Sequence, residues 1–190
     1  GTMGAGIAQI CAQSGWKTNL FDAYPEGLEK GIHAINSFWD KGIARGKTTL
    51  EQKTEWSSNL YQFTDMKLAV QDVDLVIEAV PEIMELKCSI FESLGNMTKN
   101  DCILGTNTSS LSIAEIANAS GRPNQVIGMH FFNPVPIMKL LELVKHDNCS
   151  KDTISTAQMA GEKMGKTTIL VNDVPGFATS RLGVVLGNEA

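Results

Sequence analysis

No stretch of this sequence approaches the roughly 18–20 consecutive apolar residues that a membrane-spanning helix needs. Charge is also scarce. Only 19% of the 190 residues are charged, and the 16 Lys and Arg are outnumbered by 21 Asp and Glu. With no basic stripe, that balance argues against a nucleic-acid binder. Hydrophobic residues at 43% exclude disorder by composition. The four cysteines, Cys11, Cys88, Cys102 and Cys149, form no CxxC pair and have no metal-ligand spacing. They read as buried, reduced thiols of a cytoplasmic protein, and no metal is expected. An initiator Met and a leader segment are absent, and the last residues carry no helix stop signal. The chain is therefore expected to be a fragment, clipped at both ends.

What is present is an alternation of helical and extended segments. Helices are expected over 3–14, 25–45, 49–58, 84–94, 111–119 and 152–164. Strands are expected over 18–22, 73–80, 102–106, 125–131, 137–144 and 168–171. In the second helix Leu28, Ile32, Ile35 and Trp39 recur at helical spacing, and Gly46 breaks it. The run 73–80 is mostly apolar, as a strand buried on both faces would be. The alternation predicts an α/β fold of the doubly wound kind, with a mostly parallel sheet. One connection differs. Between Phe131 and Ile137 lies only a short loop with prolines, too short for a parallel crossover. Those two strands are expected to be antiparallel neighbours.

The run Gly1-Thr2-Met3-Gly4 leads straight into the first helix. It reads as the second half of a G-x-G-x-x-G loop whose first glycine and preceding strand lie upstream. Gly1 would let the backbone approach a pyrophosphate, and Gly4 would let the helix pack closely on the sheet. The helix start would offer its free N–H groups to the phosphates. Asp22 follows Gly1 by 21 residues, at the end of a strand, where an acid binds ribose hydroxyls. No Lys or Arg adjoins it to greet a 2′-phosphate, which favours NAD over NADP. A helix rich in small residues and a turn aspartate before Pro25 are the plainer alternatives.

His130 falls at the end of a strand, the edge where ligands bind in open α/β sheets. Glu142 lies inside Leu140-Leu141-Glu142-Leu143-Val144, where a carboxylate is costly to bury without a partner. Antiparallel pairing would let the two approach. A carboxylate on one imidazole nitrogen fixes the tautomer and leaves the other to exchange a proton with substrate. The residues alone also allow a satisfied core histidine and a solvent-facing glutamate. His33 reads as a surface helix residue and His146 as part of a polar turn.

Taken together, Gly1–Ala8, 76–87, 107–111, 128–144 and 173–182 resemble the NAD-binding domain of the L-3-hydroxyacyl-CoA dehydrogenase family. The run Gly128-Met129-His130-Phe131-Phe132-Asn133-Pro134-Val135-Pro136, with Glu142 following, is its most specific part. The region 25–59 is more similar to the small bacterial 3-hydroxybutyryl-CoA type. The resemblance implies oxidation of an L-3-hydroxyacyl-CoA by NAD+, with His130 as general base and Glu142 as its orienting partner. It implies that Ser109 bonds the 3-oxygen and touches cofactor, and that Asn133 helps hold the catalytic histidine region and the substrate. Glu82 and Lys87 match positions on the nicotinamide side of the cofactor. The plainer alternatives are that Ser109 or Ser110 caps the following helix and that Glu82 sits in the first turn of a helix. In Pro175-Gly176-Phe177-Ala178-Thr179-Ser180-Arg181-Leu182, Ser180 replaces a family Asn that contacts substrate. Lys41, Arg45 and Lys47, with Ser37, are candidates for the CoA phosphates.

The resemblance divides the chain into an NAD-binding domain at 1–174, lacking its first strand, and the start of an all-helical C-terminal domain at 175–190. That second domain would carry a homodimer contact. The missing strand should be central, so this piece alone is expected to be unstable. The function classes are a stand-alone dehydrogenase, a dehydrogenase domain within a multifunctional fatty-acid oxidation protein, and a non-catalytic NAD-binding relative of the crystallin kind.

Overall fold

The computed structural model describes residues 1–178. Ser180, Arg181, Leu182 and most of the C-terminal helix expected at 175–190 lie outside them. The described part of that segment, 175–178, is a turn.

The described chain divides into two compact units, residues 1–71 with 133–138, and residues 72–132 with 139–178. In the first, α1 (Thr2–Gln13) leads to β1 (Thr18–Phe21), α2 (Pro25–Ala44), α3 (Leu50–Ser58), β2 (Leu60–Phe63) and α4 (Met66–Val70). Gly15, at φ 81°, ends α1, and Gly46, at φ 66°, follows α2. Thr49 and Gln52 form a reciprocal capping box at the start of α3. β1 and β2 pair in parallel, Thr18 beside Leu60 through Phe21 beside Phe63. Ala5, Ala8, Ile35 and Trp39 form the core of this unit, with Leu20, Trp56 and Leu60 against it. β2 and α4 are not among the sequence expectations.

The second unit holds a five-stranded sheet in the order β3-β4-β5-β6-β7. Its strands are β3 (Leu75–Glu78), β4 (Ile103–Thr106), β5 (Val126–Phe131), β6 (Leu140–Lys145) and β7 (Thr167–Asn172). β3, β4 and β5 run parallel, β5 and β6 antiparallel, and β6 and β7 parallel. The antiparallel pair is the one the short proline loop predicts. β3 is an edge strand of this sheet and only Glu78 in it is buried, so the expected strand buried on both faces is corrected. Helices α5 (Met84–Met97), α6 (Ile113–Ala119) and α7 (Lys151–Lys163) connect the strands. Phe91, Leu104, Ile113, Ile116, Ile127, Met129, Leu141 and Leu143 are fully buried side chains of this unit.

Two smaller expectations are corrected. His146 is buried and its Nε2 meets the Val126 carbonyl at 3.2 Å, so it belongs to the packed sheet rather than to an exposed turn. Cys11 and Cys102 are buried, whereas Cys88 and Cys149 are only partly so. Burial pushes the Cys11 thiol up to about 12. His33 is exposed, as its helix position suggests.

Candidate active site

β3, β4 and β5 end at Glu78, Thr106 and Phe131, along one edge of the second unit's sheet. In open α/β sheets that edge is where ligands sit. His130, next to last in β5, lies directly across the ladder from Glu142 in β6. Cross-strand partners present their side chains on the same face. Here the result is a contact of 2.6 Å between His130 Nδ1 and Glu142 Oε2. His130 is 8% exposed and Glu142 0%. An ionised carboxylate only accepts, so the shared proton belongs to Nδ1, and in the neutral ring Nε2 then carries the lone pair. Among the described residues Nε2 has no hydrogen-bond partner. The other carboxylate oxygen, Oε1, accepts from the Ala178 amide at 3.2 Å. Phe132 lies 4.5 Å from the imidazole, ring centre to ring centre, and Phe177 lies 5.9 Å from it, edge on.

A second cluster gathers on Glu82. Its Oε1 accepts from the Thr108 hydroxyl at 2.6 Å and the Ser109 amide at 2.8 Å. The Ser109 hydroxyl at 3.1 Å and the Ser110 amide at 3.2 Å share the same oxygen. Burial pushes the Glu82 carboxyl up. The Thr108 hydroxyl, the Ser109 amide and the Lys87 ammonium outweigh that and leave it below its ordinary value. Ser112, not Ser109 or Ser110, caps α6, and Glu82 precedes α5 instead of sitting in its first turn. Both Ser109 and Ser110 remain exposed.

Lys87 is placed differently from the expected direct cofactor contact. It is 0% exposed, and its Nζ donates to Glu78 Oε1 at 2.8 Å. Glu82 Oε2 lies 3.6 Å from the same ammonium. Glu78 in turn accepts from the Val80 amide at 2.6 Å and the Thr106 hydroxyl at 2.7 Å. Lys87 thus reaches the site through Glu82. Sequence reasoning missed Glu78, Thr106 and Thr108. It also missed the role of Asn107, whose Oδ1 accepts from the Phe131 amide at 2.8 Å and ties the exit of β4 to that of β5. The buried glutamate in an apolar strand was the one legible signal for Glu78.

In the first unit, α1 begins at Thr2 with Gly1 as its N-cap and no side chain capping its amides. Those amides and the positive end of the helix form a ready anion site. Asp22 directly follows β1, and its Oδ2 lies 3.5 Å from the Gly1 nitrogen. Its Oδ1 accepts from the Tyr24 amide at 3.0 Å. A Cβ at Gly27 would meet Asp22 Oδ2 at 2.5 Å, so glycine there leaves room for the carboxylate. Phosphate donors and a ribose acceptor therefore stand together, and the residues fit a dinucleotide. Met3 and Gly4 are half-buried in the first turn. Asn133 is exposed on the loop after β5. Ser37 is half-buried on α2, and Lys41, Arg45 and Lys47 are exposed on and just after it.

An α/β unit with a helix-start anion site and an acid after the next strand defines a dinucleotide-binding protein. Residues 1–174 match the family model described as "3-hydroxyacyl-CoA dehydrogenase, NAD binding domain", and the chain belongs to that family. It is 39% identical over 190 residues to the "Probable 3-hydroxybutyryl-CoA dehydrogenase" of Bacillus subtilis (strain 168), covering 100% of this chain and 66% of that protein. It is 38% identical over 182 residues to the "Fatty acid oxidation complex subunit alpha" of Idiomarina loihiensis, covering 96% of this chain and 25% of that one. The crystal structure of (S)-3-hydroxybutyryl-CoA dehydrogenase PaaH1 from Ralstonia eutropha superposes with a TM-score of 0.96 at 34% identity, covering 100% of this chain and 66% of that structure. The chain thus spans about two thirds of the 3-hydroxybutyryl-CoA dehydrogenases it matches. NAD is the cofactor of the family domain. Among the described residues no helix is long and apolar enough to cross a membrane, and no cluster of His, Cys, Asp and Glu could hold a metal ion.

Proposed function

We propose that this chain is the NAD-binding part of an enzyme that oxidises an L-3-hydroxyacyl-CoA to the 3-ketoacyl-CoA. The observation that carries the reading is the buried His130–Glu142 contact, 2.6 Å long and set by the ladder register. Bound NAD+ supplies the acceptor for the hydride that leaves C3. His130 Nε2 takes the proton of the 3-hydroxyl as the carbonyl forms, and Glu142 stabilises the imidazolium through Nδ1–H. In the reverse direction the imidazolium returns the proton. The exposed Ser109 hydroxyl, oriented by Glu82, bonds the 3-oxygen, and Asn133 helps hold the catalytic histidine region and the substrate. Gly1, Thr2, Met3 and Gly4 receive the pyrophosphate, and Asp22 the adenosine ribose. Ser37, Arg45 and Lys47 are the candidates for the CoA phosphates, and Ser180 for the substrate contact of the family Asn. The enzyme works in the cytoplasm as a homodimer built through an all-helical domain starting near Pro175.

Identities of 39% and 38% do not separate a stand-alone enzyme from a domain of a multifunctional fatty-acid oxidation protein. Complete reading of the gene on both sides of this segment decides between them. The activity test is absorbance-monitored NADH oxidation with acetoacetyl-CoA, using the protein at its natural length beside its His130→Gln variant. Turnover should fall by about 10²-fold or more in the variant while NADH still binds. A folded, NADH-binding protein without turnover would sink the reading in favour of the non-catalytic relative.

A further inference from the structure

The polypeptide that leaves β7 does not simply depart from the sheet. Asp173 Oδ2 accepts from the Ala114 amide at 2.8 Å and the Ser112 hydroxyl at 3.2 Å, pinning the strand exit to the start of α6. Val174-Pro175-Gly176-Phe177 then reverses, with the Phe177 amide donating to the Val174 carbonyl at 2.9 Å. Proline second and a glycine of φ 75° third are the residues of a type II turn. The turn delivers Phe177 in the left-handed region at φ 47°, a conformation bulky L-residues rarely adopt. In spite of that, its side chain is 2% exposed and its ring lies edge on to His130, 5.9 Å between centres. The next amide, that of Ala178, donates to Glu142 Oε1 at 3.2 Å. Backbone strain at a buried ring beside a reactive pair points to a retained function.

We infer that Phe177 and Ala178 form a positioning clamp for the His130–Glu142 pair, a reading that rests on the dehydrogenase function proposed above. Phe132 and Phe177 contact the imidazole as two separate rings, and the Ala178 amide holds the carboxylate oxygen that His130 does not use. The rings restrict rotation of the imidazole and exclude water from the Nδ1–H bond. The amide keeps the Glu142 carboxylate turned so that Oε2 faces Nδ1. Phe177 is thus a positioning residue and touches neither substrate nor cofactor in this scheme. The consequence is mechanical: the path of the chain just after the sheet and the geometry of the pair are set together.

The test uses the protein at its natural length in unchanged, Phe177→Ala and Phe177→Tyr forms. The first readout is the proton NMR signal of the His130 Nδ1–H, assigned by its loss in His130→Gln. The signal should be present in the unchanged and Tyr forms and lost to exchange with water in the Ala form. The second readout is steady-state turnover of acetoacetyl-CoA with NADH. In the Ala form kcat should fall about tenfold while both KM values stay within about twofold, since misplacement of a catalytic group acts on the chemical step. Tyr should restore most of kcat. The clamp is overturned if the signal is missing from the unchanged protein, if it persists undiminished in Phe177→Ala, or if Tyr fails as badly as Ala. A signal that responds to Phe177 in a protein without turnover would uphold the clamp and overturn the dehydrogenase reading. Turnover that is indifferent to Phe177→Ala would do the reverse.

Discussion

Glu142 holds a carboxylate out of all solvent contact, and His130 opposite is nearly as buried. Removing one member of such a pair leaves the other without its partner. Glu142→Ala should therefore lower stability by about 3–5 kcal/mol, read from urea unfolding, as well as abolish turnover. A loss below about 1 kcal/mol would mean that water already reaches the pair. Glu82 allows a test with a defined sign. Its folded-state carboxyl titrates below the ordinary 4.5, so its network contributes stability above that value and loses it as pH falls through the folded value. The melting difference between the unchanged protein and Glu82→Gln should be full at neutral pH. It should begin to narrow near pH 4.5 and shrink further in more acid. A gap that is constant from neutral pH into acid would deny the Glu82 carboxylate its role. The residue scale is also where the sequence was least readable. The resemblance marks Ser109 as a site residue, but nothing in the order Thr108-Ser109-Ser110 reveals that one distant carboxylate collects all three. Lys87 lies in an amphipathic-looking helix start, and its burial follows only from Glu78 reaching it out of another element.

At the scale of elements the sequence was far more legible, because period and punctuation are local. Gly15 and Gly46 follow their helices, and the capping box at Thr49 starts the third. The short proline loop forces β5 and β6 antiparallel, and that alone brings residues 130 and 142 face to face. β2 escaped because only Asn59 separates it from α3, and α4 because its five residues make little more than one helical turn. His146 was misread because a polar run of sequence does not disclose a carbonyl waiting on a neighbouring strand. Helix packing supplies the prediction here. A Cβ on Gly95 of α5 would run into the backbone carbonyl of Ser120 at the end of α6. Backbone cannot swing aside as a side chain can. Gly95→Ala should thus cost about 1–3 kcal/mol by overpacking, despite the better helix propensity of alanine. A melting temperature raised by the substitution would refute the close approach.

For the molecule as a whole, the two units contribute different things. The first carries the helix-start amides and Asp22, and the second the buried His130–Glu142 pair and the Glu82 cluster. In the proposed reading, cofactor choice belongs to the first. Asp22, held by the Tyr24 amide and given room by Gly27, would repel a 2′-phosphate and has no adjacent cation to offset it. NADH at about 100 times its dissociation constant should stabilise the protein by about 2.7 kcal/mol, and NADPH at the same concentration by far less. Equal melting shifts for the two would remove Asp22 from the cofactor site. The ladder that joins β5 to β6 has one more consequence. His130 and Glu142 are anchored in paired strands, not on loops, so their separation is fixed when the sheet forms. Little reorganisation is left for the moment a substrate arrives. In the proposed reaction the energy of aligning base and partner is settled once, in folding, and each turnover would begin with that work already done.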